Sequence, residues 1–187
     1  ASPKAVDGLL AYSCKKQVPV VLCTTGLSGE QLAAVEKASQ VTAILRSANM
    51  SLGVNLLLKL VSDAARVLAG SGFDMEIVEK HHNQKQDAPS GTAKMLVAAM
   101  NREHTYREVH GRNGFVGKRQ KEIGIHAVRG GTVAGEHDVY FFGDDEIFEI
   151  KHTANSRKIF VNGALRAARF AVTQKPGMYT MKDILFA

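Results

Sequence analysis

Two short apolar runs, each followed by a helical pattern, lie within the first 70 residues of the chain. Residues 18–23 (VPVVLC) are apolar throughout and have the length of a strand, which is typical of a parallel strand covered on both faces. Residues 28–31 (SGEQ) then predict a capping box at the start of a helix. A second cycle follows, with a predicted strand at 42–46 and a long predicted helix at 52–68. Two such cycles predict a parallel sheet in an α/β fold.

After residue 72 the pattern changes, and a mixed α+β unit is predicted. Residues 73–81 alternate between apolar and polar side chains, which predicts a strand with one solvent-facing side, and residues 90–102 have a helical pattern. Residues 105–121, which are basic and rich in glycine, are expected to form a long loop. The short links between the strands that follow predict an antiparallel arrangement. These last elements are predicted strands at 123–129, 132–142 and 146–153 and a closing helix at 156–173.

The composition predicts a globular protein of a reducing compartment. Of its 187 residues, 45% are hydrophobic and 22% are charged, so the chain can bury a core. Cys14 and Cys23 are too few for a disulfide framework and do not have the spacing of metal ligands. No apolar run approaches the roughly 20 residues needed to span a bilayer. We therefore expect a cytoplasmic protein with no membrane partner.

The formal net charge of +6 favours anionic partners but does not choose between nucleic acids, phosphates and carboxylates. The basic residues are dispersed along the chain, and tryptophan is absent. Modules that bind nucleic acids usually show basic clusters with interleaved aromatic side chains. Nucleic acid is therefore not expected as a partner.

The segment 79–93 (EKHHNQKQDAPSGTA) brings proton-donating side chains to the end of a predicted strand. An imidazole titrates near neutral pH, and a lysine close to other cations can become a usable acid, so His81, His82 and Lys85 are candidate proton donors. Adjacent residues of a strand point to opposite sides, so the two histidines are expected to have different roles. A solvated strand end is the alternative interpretation. A zinc site is the other alternative, but no third ligand follows at helical spacing.

The same segment then enters a helix in a way that suits an anion. Ser90 is a natural N-cap, and Gly91 lets a ligand approach the backbone. The N–H groups of Gly91 and Thr92 lie at the positive end of the helix dipole, where a carboxylate or phosphate is stabilised. A plain helix cap is the alternative, but proton donors and an anion site at one strand-to-helix junction favour an active site.

The run from His81 to Ala93 resembles the signature of the dihydrodipicolinate reductases, also called 4-hydroxy-tetrahydrodipicolinate reductases. The resemblance extends over the whole chain, with several separate motifs in the right order. These are Thr24-Thr25-Gly26, residues 49–55 (NMSLGVN), residues 126–132 (HAVRGGT), Gly135-Glu136-His137 and residues 152–157 (HTANSR).

The resemblance implies roles for particular residues. The family's proton-donating histidine matches His81, and its catalytic lysine matches Lys85. Binding of the substrate carboxylates falls on His82, Gly91 and Thr92. The family reduces a cyclic, unsaturated dicarboxylate to tetrahydrodipicolinate in lysine (diaminopimelate) biosynthesis, with hydride from NADH or NADPH and a proton from an acid. No metal is implied.

The resemblance also implies where the nicotinamide cofactor binds. Both loops concerned follow the carboxyl ends of predicted parallel strands, where open α/β sheets bind ligands. The implied cofactor-binding residues are Cys23, Thr24, Thr25, Ser47, Ala48, Asn49 and Met50. Cys23 is a departure, since the family usually has glycine there.

For the fold, the resemblance implies the remainder of a Rossmann-like parallel sheet plus a mixed α+β C-terminal domain. Residues 1–50 and 176–187 are expected to form a partial dinucleotide-binding domain. Residues 51–175 are expected to bind substrate and to assemble a homotetramer through their sheet. The family's N-terminal strand and glycine-rich turn have no counterpart here, so weak dinucleotide binding by this chain is expected. The alternative function is a cofactor-deficient fragment that binds substrate and oligomerises.

Other conspicuous polar residues receive structural interpretations. Arg129 precedes two glycines and is expected to be exposed in a turn, with a substrate or interface role as the alternative. Arg157 lies at a predicted helix start, which disfavours a cation, so it is expected to face an anion. Histidines 126, 137 and 152 alternate with apolar residues on predicted strands, which favours structural roles.

Overall fold

A computed structural model describes residues 2–186, which form two compact units. One unit contains the residues up to Asn55 together with those from Lys158 onward, and the other spans Leu56–Arg157. The helices are α1 (Val6–Lys16), α2 (Gly29–Ser39), α3 (Leu52–Leu68), α4 (Gly91–Met100), α5 (Lys158–Ala171) and α6 (Met181–Leu185). The strands are β1 (Val20–Leu22), β2 (Ala43–Arg46), β3 (Asp74–His81), β4 (Arg107–His110), β5 (Glu122–Arg129), β6 (Gly135–Phe142), β7 (Ile147–Ala154) and β8 (Gly177–Tyr179).

The first unit is built on a parallel sheet, as the two strand–helix cycles predict. Its strand order is β1-β2-β8, and both neighbouring pairs are parallel. The predicted capping box starts α2: Ser28 accepts from the backbone of Gln31, whose side chain accepts from the backbone of Ser28. Ile44 and Leu45 of β2 have no exposed surface. The predicted α/β class is therefore confirmed for this unit.

The second unit is a five-stranded mixed sheet with helices on one face. Its strand order is β4-β5-β3-β6-β7, so β3 lies at the centre. Strand β3 is parallel to β5 and antiparallel to β6. Alternate side chains of β3, β5 and β6 pack against α3 and α4 to form the core. Its members are Leu57, Val61, Ala65, Met75, Ile77, Ala93, Leu96, Val97, Met100, Ile123, Ile125, Val139 and Phe141.

Strands β5 and β6 run antiparallel, as predicted, but they are not neighbours in the sheet. Strand β3 lies between them, and the five residues 130–134 step across its end. The amide of Gly130 donates to the carbonyl of His81 at 2.9 Å, and the amide of His82 donates to the carbonyl of Val133 at 2.8 Å. Crossing one strand requires roughly 10 Å, twice the strand spacing, which a link of this length covers. The pairing of β6 with β7 is antiparallel, as predicted.

Two further expectations differ from the structure. The predicted loop 105–121 contains the edge strand β4, which pairs with β5 in parallel. The closing helix α5 groups with the first unit, whereas the expected boundary placed it with the second. No helix within residues 2–186 is both long enough and apolar enough to cross a membrane.

Candidate functional site

Strand β3 ends in a buried acid and a histidine on the same face of the sheet. The side chain of Glu79 has no exposed surface. Its Oε2 accepts from Nδ1 of His81 at 2.6 Å, and its Oε1 accepts from the backbone N–H of Ser90 at 2.9 Å. Burial alone raises the pKa of Glu79, but hydrogen bonds from Arg129, His81 and Ser90 outweigh it, so the net pKa is lowered. The carboxylate is therefore ionised at neutral pH.

Arg129 provides the compensating charge. Its Nη1 and Nη2 donate to Oε2 and Oε1 of Glu79, each at 2.8 Å, in a bidentate ion pair. Nη2 also donates to the carbonyl oxygen of Asp87 at 2.8 Å. The expectation that Arg129 is an exposed turn residue is wrong, because only 20% of its side chain is accessible. The buried carboxylate of Glu79 on β3 requires a charged partner. The parallel pairing of β3 with β5 places Arg129 opposite His81, within reach of that carboxylate.

His81 and Lys85, the two residues to which the resemblance assigns catalysis, are connected through this ion pair. Nζ of Lys85 lies 2.6 Å from Oδ1 of Asp87. The backbone of Asp87 is held by Arg129, and Arg129 in turn holds Glu79 and His81 in place. Each link is a hydrogen bond between described residues, so a single network positions His81 and Lys85.

The start of α4 belongs to the same network. Ser90 is the N-cap, as predicted, and its Oγ accepts from the N–H of Ala93 at 3.1 Å. Oγ also lies 3.0 Å from Nε2 of His137. The helix begins at Gly91, whose N–H has no acceptor within the helix because the first turn lacks one. Gly91 and Thr92 thus stand at a fixed helix start beside His81.

His137 packs against His81 and is itself buried. The two rings meet edge to face with centroids 5.2 Å apart. Burial, followed by the nearby charge of His81, lowers the pKa of His137 to about 4. A neutral His137 fits the predicted structural role.

His82 faces away from this network, as expected for the neighbour of His81. Its Nε2 lies 3.2 Å from Nη2 of Arg157. A guanidinium only donates, so this contact requires an unprotonated Nε2 on His82. Arg157, expected to face an anion, thus has an imidazole as its partner in this structure. The guanidinium of Arg157 and the Nδ1–H group of His82 are both donors, so together they can bind a carboxylate.

The predicted cofactor loops meet at a cavity of the first unit. The cavity has a volume of about 430 Å³ and is lined by Cys23, Ser47, Ala48, Asn49 and Met50. Thr24 is buried and Thr25 is exposed, and neither lines the cavity. Sequence reasoning missed one wall, which helix α5 supplies. This wall consists of Phe160, Val161 and Ala164.

Local hydrogen bonds fix the shape of the 47–51 loop. Oγ of Ser47 donates to the carbonyl of Asn49 at 2.8 Å, and the N–H of Ser51 donates to Oδ1 of Asn49 at 2.9 Å. Helix α5 approaches this loop closely, since a Cβ at Gly163 would overlap the carbonyl oxygen of Met50. At Cys23, partial desolvation raises the pKa of the thiol, so it stays protonated at the cavity edge.

The remaining histidines are placed on the sheet as predicted. Nε2 of His126 pairs with Oε2 of Glu76 at 2.7 Å, and His152 faces His137 across the pairing of β6 with β7. Within the described part of the chain, no three side chains of metal-ligating type are grouped so as to hold a metal ion.

The first unit has a cavity beyond the ends of its parallel strands, and the second unit has a hydrogen-bonded network of ionisable side chains at a helix start. Each feature is typical of an α/β enzyme. Comparison with known proteins is more specific. Residues 1–50 match the family model for the dihydrodipicolinate reductase N-terminus, and residues 53–185 match the model for the dihydrodipicolinate reductase C-terminus.

Individual relatives agree. The 4-hydroxy-tetrahydrodipicolinate reductase of Caldanaerobacter subterraneus is 54% identical over 97% of this chain and 73% of that protein. The enzyme of the same name from Brachyspira hyodysenteriae is 49% identical over 96% of this chain and 78% of that protein. A solved dihydrodipicolinate reductase from Paenisporosarcina sp. TG-14, described with dipicolinate bound, superimposes with a TM-score of 0.81 at 26% identity over 99% of this chain and 71% of that chain. The chain belongs to the dihydrodipicolinate reductase family.

Proposed function

We propose that this chain reduces 4-hydroxy-tetrahydrodipicolinate with loss of water, or the dihydrodipicolinate formed from it by that loss, to tetrahydrodipicolinate with NADH or NADPH. The family and the names of its relatives support the reaction as a step of lysine biosynthesis. The observation that carries the proposal in this chain is the network joining His81 and Lys85 beside the start of α4. A network of two candidate proton donors near a helix start supports proton transfer to an anionic substrate.

The substrate proposed is a six-membered ring with two carboxylates. Gly91 and Thr92 at the helix start would bind one carboxylate through backbone N–H groups. His82 would help to bind the carboxylates through its imidazole, with Arg157 at its side. The dipicolinate named in the Paenisporosarcina structure is a ring dicarboxylate, which supports this substrate class.

The cofactor proposed is a nicotinamide dinucleotide, which supplies the hydride when bound. The residues fit its planar ring, because the cavity lined by Ser47, Met50 and Phe160 is mostly apolar with a few polar groups. The cavity lies beyond the carboxyl ends of β1 and β2, where parallel sheets bind dinucleotides. Cys23, Thr24, Thr25, Ala48 and Asn49 complete the proposed cofactor-binding set.

The proton proposed to complete the reduction comes from His81. Its Nδ1 is occupied by Glu79, so the proton leaves from Nε2. Lys85 adds a positive charge that stabilises the anionic substrate, and Asp87 holds its ammonium in place. His81 regains its proton from solvent after turnover.

The assembly proposed is a homotetramer that forms in the cytoplasm through the second unit's sheet. The sheet face opposite α3 and α4 carries Tyr140 and Phe142, whose rings stack with centroids 5.5 Å apart. On the adjacent strand Ile147 is 63% exposed. An apolar patch on a sheet face favours burial against another copy.

The test is oxidation of reduced nicotinamide in the presence of substrate. His81→Gln and Lys85→Met should each lower turnover by a factor on the order of 10² to 10⁴, the usual contribution of a general acid. Lys59→Met is the matched control for Lys85, because Lys59 also forms a 2.6 Å pair with an aspartate, on an exposed helix face. Full turnover in both test variants would contradict the proposal, and no substrate-dependent oxidation by the parent chain would favour a cofactor-deficient fragment.

A further inference from the structure

The carboxylate of Glu79 is saturated with donors in a buried position. Oε1 accepts from Ser90 N–H and from Nη2 of Arg129, and Oε2 accepts from Nη1 of Arg129 and Nδ1 of His81. All four distances lie between 2.6 and 2.9 Å. Because an ionised carboxylate can only accept, the His81 nitrogen that faces it must carry the proton.

The other nitrogen of His81 faces a glycine. A Cβ on Gly135 would lie 3.1 Å from Nε2 of His81 and 3.5 Å from its Cδ2. Strand β6 thus leaves room at Nε2 only because position 135 has no side chain. The ring is fixed at Nδ1, and the glycine at position 135 places no side chain over Nε2.

We propose that Glu79 is the positioning residue of the reaction: it keeps a proton on Nδ1 of His81, both in the doubly protonated ring that donates and in the neutral ring that remains, so that Nε2 is the nitrogen that faces the substrate. This inference rests on the proposed function, since it takes His81 to be the proton donor. In the step, the Nε2–H bond breaks and its proton passes to the ring that has accepted hydride. The Nδ1 proton stays on His81 throughout, bonded to Glu79. The bound donors keep Glu79 itself ionised, so it transfers no proton.

Arg129 stabilises the charge of Glu79 in its buried position. An isolated carboxylate without exposed surface would become protonated and would then no longer orient His81 by accepting its N–H. The bidentate guanidinium holds the charge on Glu79, and its third bond fixes Asp87 and, through it, the Lys85 pair. Glu79 therefore sets the geometry of His81 while Arg129 extends the same constraint to Lys85.

The opposite face of β3 offers a matched control. Glu76 also forms a bidentate pair with an arginine, Arg112, and also contacts a histidine, His126. There the histidine is bound through Nε2 at 2.7 Å. Replacing Glu76 removes the same charge from the same strand but leaves His81 untouched.

The first measurement is nitrogen NMR of the histidine side chains in the unaltered chain at alkaline pH. The tautomer of a neutral imidazole is set by the hydrogen bond that its other nitrogen makes. His81, assigned by its loss in His81→Gln, should carry its proton on Nδ1. A proton on Nε2 would overturn the inference, and this result does not depend on how any variant of Glu79 folds.

The second measurement is turnover of Glu79→Gln. We expect kcat to fall by a factor on the order of 10², the usual effect of removing a group that orients a catalytic side chain, with KM for the nicotinamide unchanged. Glu76→Gln should retain kcat within about threefold of the parent chain, and size-exclusion chromatography should confirm that both variants keep the parent's oligomeric state. Equal kcat in the two glutamate variants would overturn the positioning role. If His81→Gln lowers kcat while Glu79→Gln does not, only the positioning inference fails. If His81→Gln and Lys85→Met are both fully active, the proposed function fails with it.

Discussion

Glu79 and Arg129 form a bidentate ion pair across two parallel strands, with both N–O distances at 2.8 Å. The carboxylate is buried and the guanidinium is mostly so. A pair of this kind contributes little net stability relative to an apolar pair, but removal of one partner leaves a buried charge uncompensated. The stability of the second unit should therefore depend on keeping both partners.

Replacement of Arg129 tests this dependence. Arg129→Met should lower the free energy of unfolding by about 3 kcal/mol or more, because Glu79 then stays buried without its counter-ion. Arg107→Met is the control, since Arg107 also bonds to a buried glutamate, Glu122, but is 70% exposed. Arg107→Met should lower the free energy of unfolding by no more than about 1 kcal/mol. Urea denaturation followed by circular dichroism measures both, and equal losses would contradict the prediction.

A methyl group at Gly135 should impair His81. The added Cβ would stand 3.1 Å from Nε2, the nitrogen proposed to deliver the proton. Gly135→Ala should lower kcat on the order of tenfold or more, since small displacements of a catalytic group are costly. Gly70→Ala introduces the same methyl group where no atom lies within 4 Å. If Gly135→Ala turns over at the rate of Gly70→Ala, Nε2 is not the reacting nitrogen.

Helix α5 should tolerate no side chain at Gly163. A Cβ there would overlap the carbonyl oxygen of Met50, so the 47–51 loop would have to move. Gly163→Ala is expected to lower the melting temperature and to weaken binding of reduced nicotinamide dinucleotide, both measurable in one thermal-shift titration. Gly8, in helix α1, has open space around it, and Gly8→Ala should stabilise the chain by roughly 0.5–1 kcal/mol. A neutral Gly163→Ala would show that the loop position is not set by this contact.

The stability of the second unit should fall as the pH drops through the range of ordinary histidines. Burial lowers the pKa of His137 from 6.5 to about 4, so the unfolded chain binds a proton in this range while the folded chain does not. Between pH 6.5 and about pH 5 the free energy of unfolding should fall by on the order of 2 kcal/mol. Unfolding experiments on the parent chain and on His137→Gln measure the difference. Equal pH dependence in both would show that His137 is not kept neutral by burial.

Local patterns in the sequence predicted the long elements well. The helix predicted at 52–68 coincides with α3, and the capping box at residues 28–31 forms as expected. These features depend on hydrophobic periodicity and on contacts between residues three or four apart. Strands β4 (REVH) and β8 (GMY) are as short as β2 and β1 but lack the continuous apolar run by which β1 was predicted.

Strand order and ion pairing were harder to predict, because both depend on contacts between distant residues. The short link 130–134 suggested a hairpin, yet β3 occupies the place between β5 and β6. One feature of the sequence indicates that Glu79 is buried. Glu79 follows Met75 and Ile77 at the same two-residue spacing, so its carboxylate lies on the core face of the strand. A buried carboxylate requires a partner. Nothing local identifies that partner as Arg129, 50 residues further on.

The central claim is that a ring dicarboxylate binds where β3 passes into α4. Its most direct test is a titration of the isotope-labelled chain with dipicolinate, followed by NMR of backbone amides and histidine side chains. The account predicts saturable shifts concentrated at Gly91 and Thr92 and at the rings of His81 and His82, and weaker binding in His82→Gln. Saturable shifts elsewhere, with the Gly91 and Thr92 amides and the His81 ring unchanged, would contradict it.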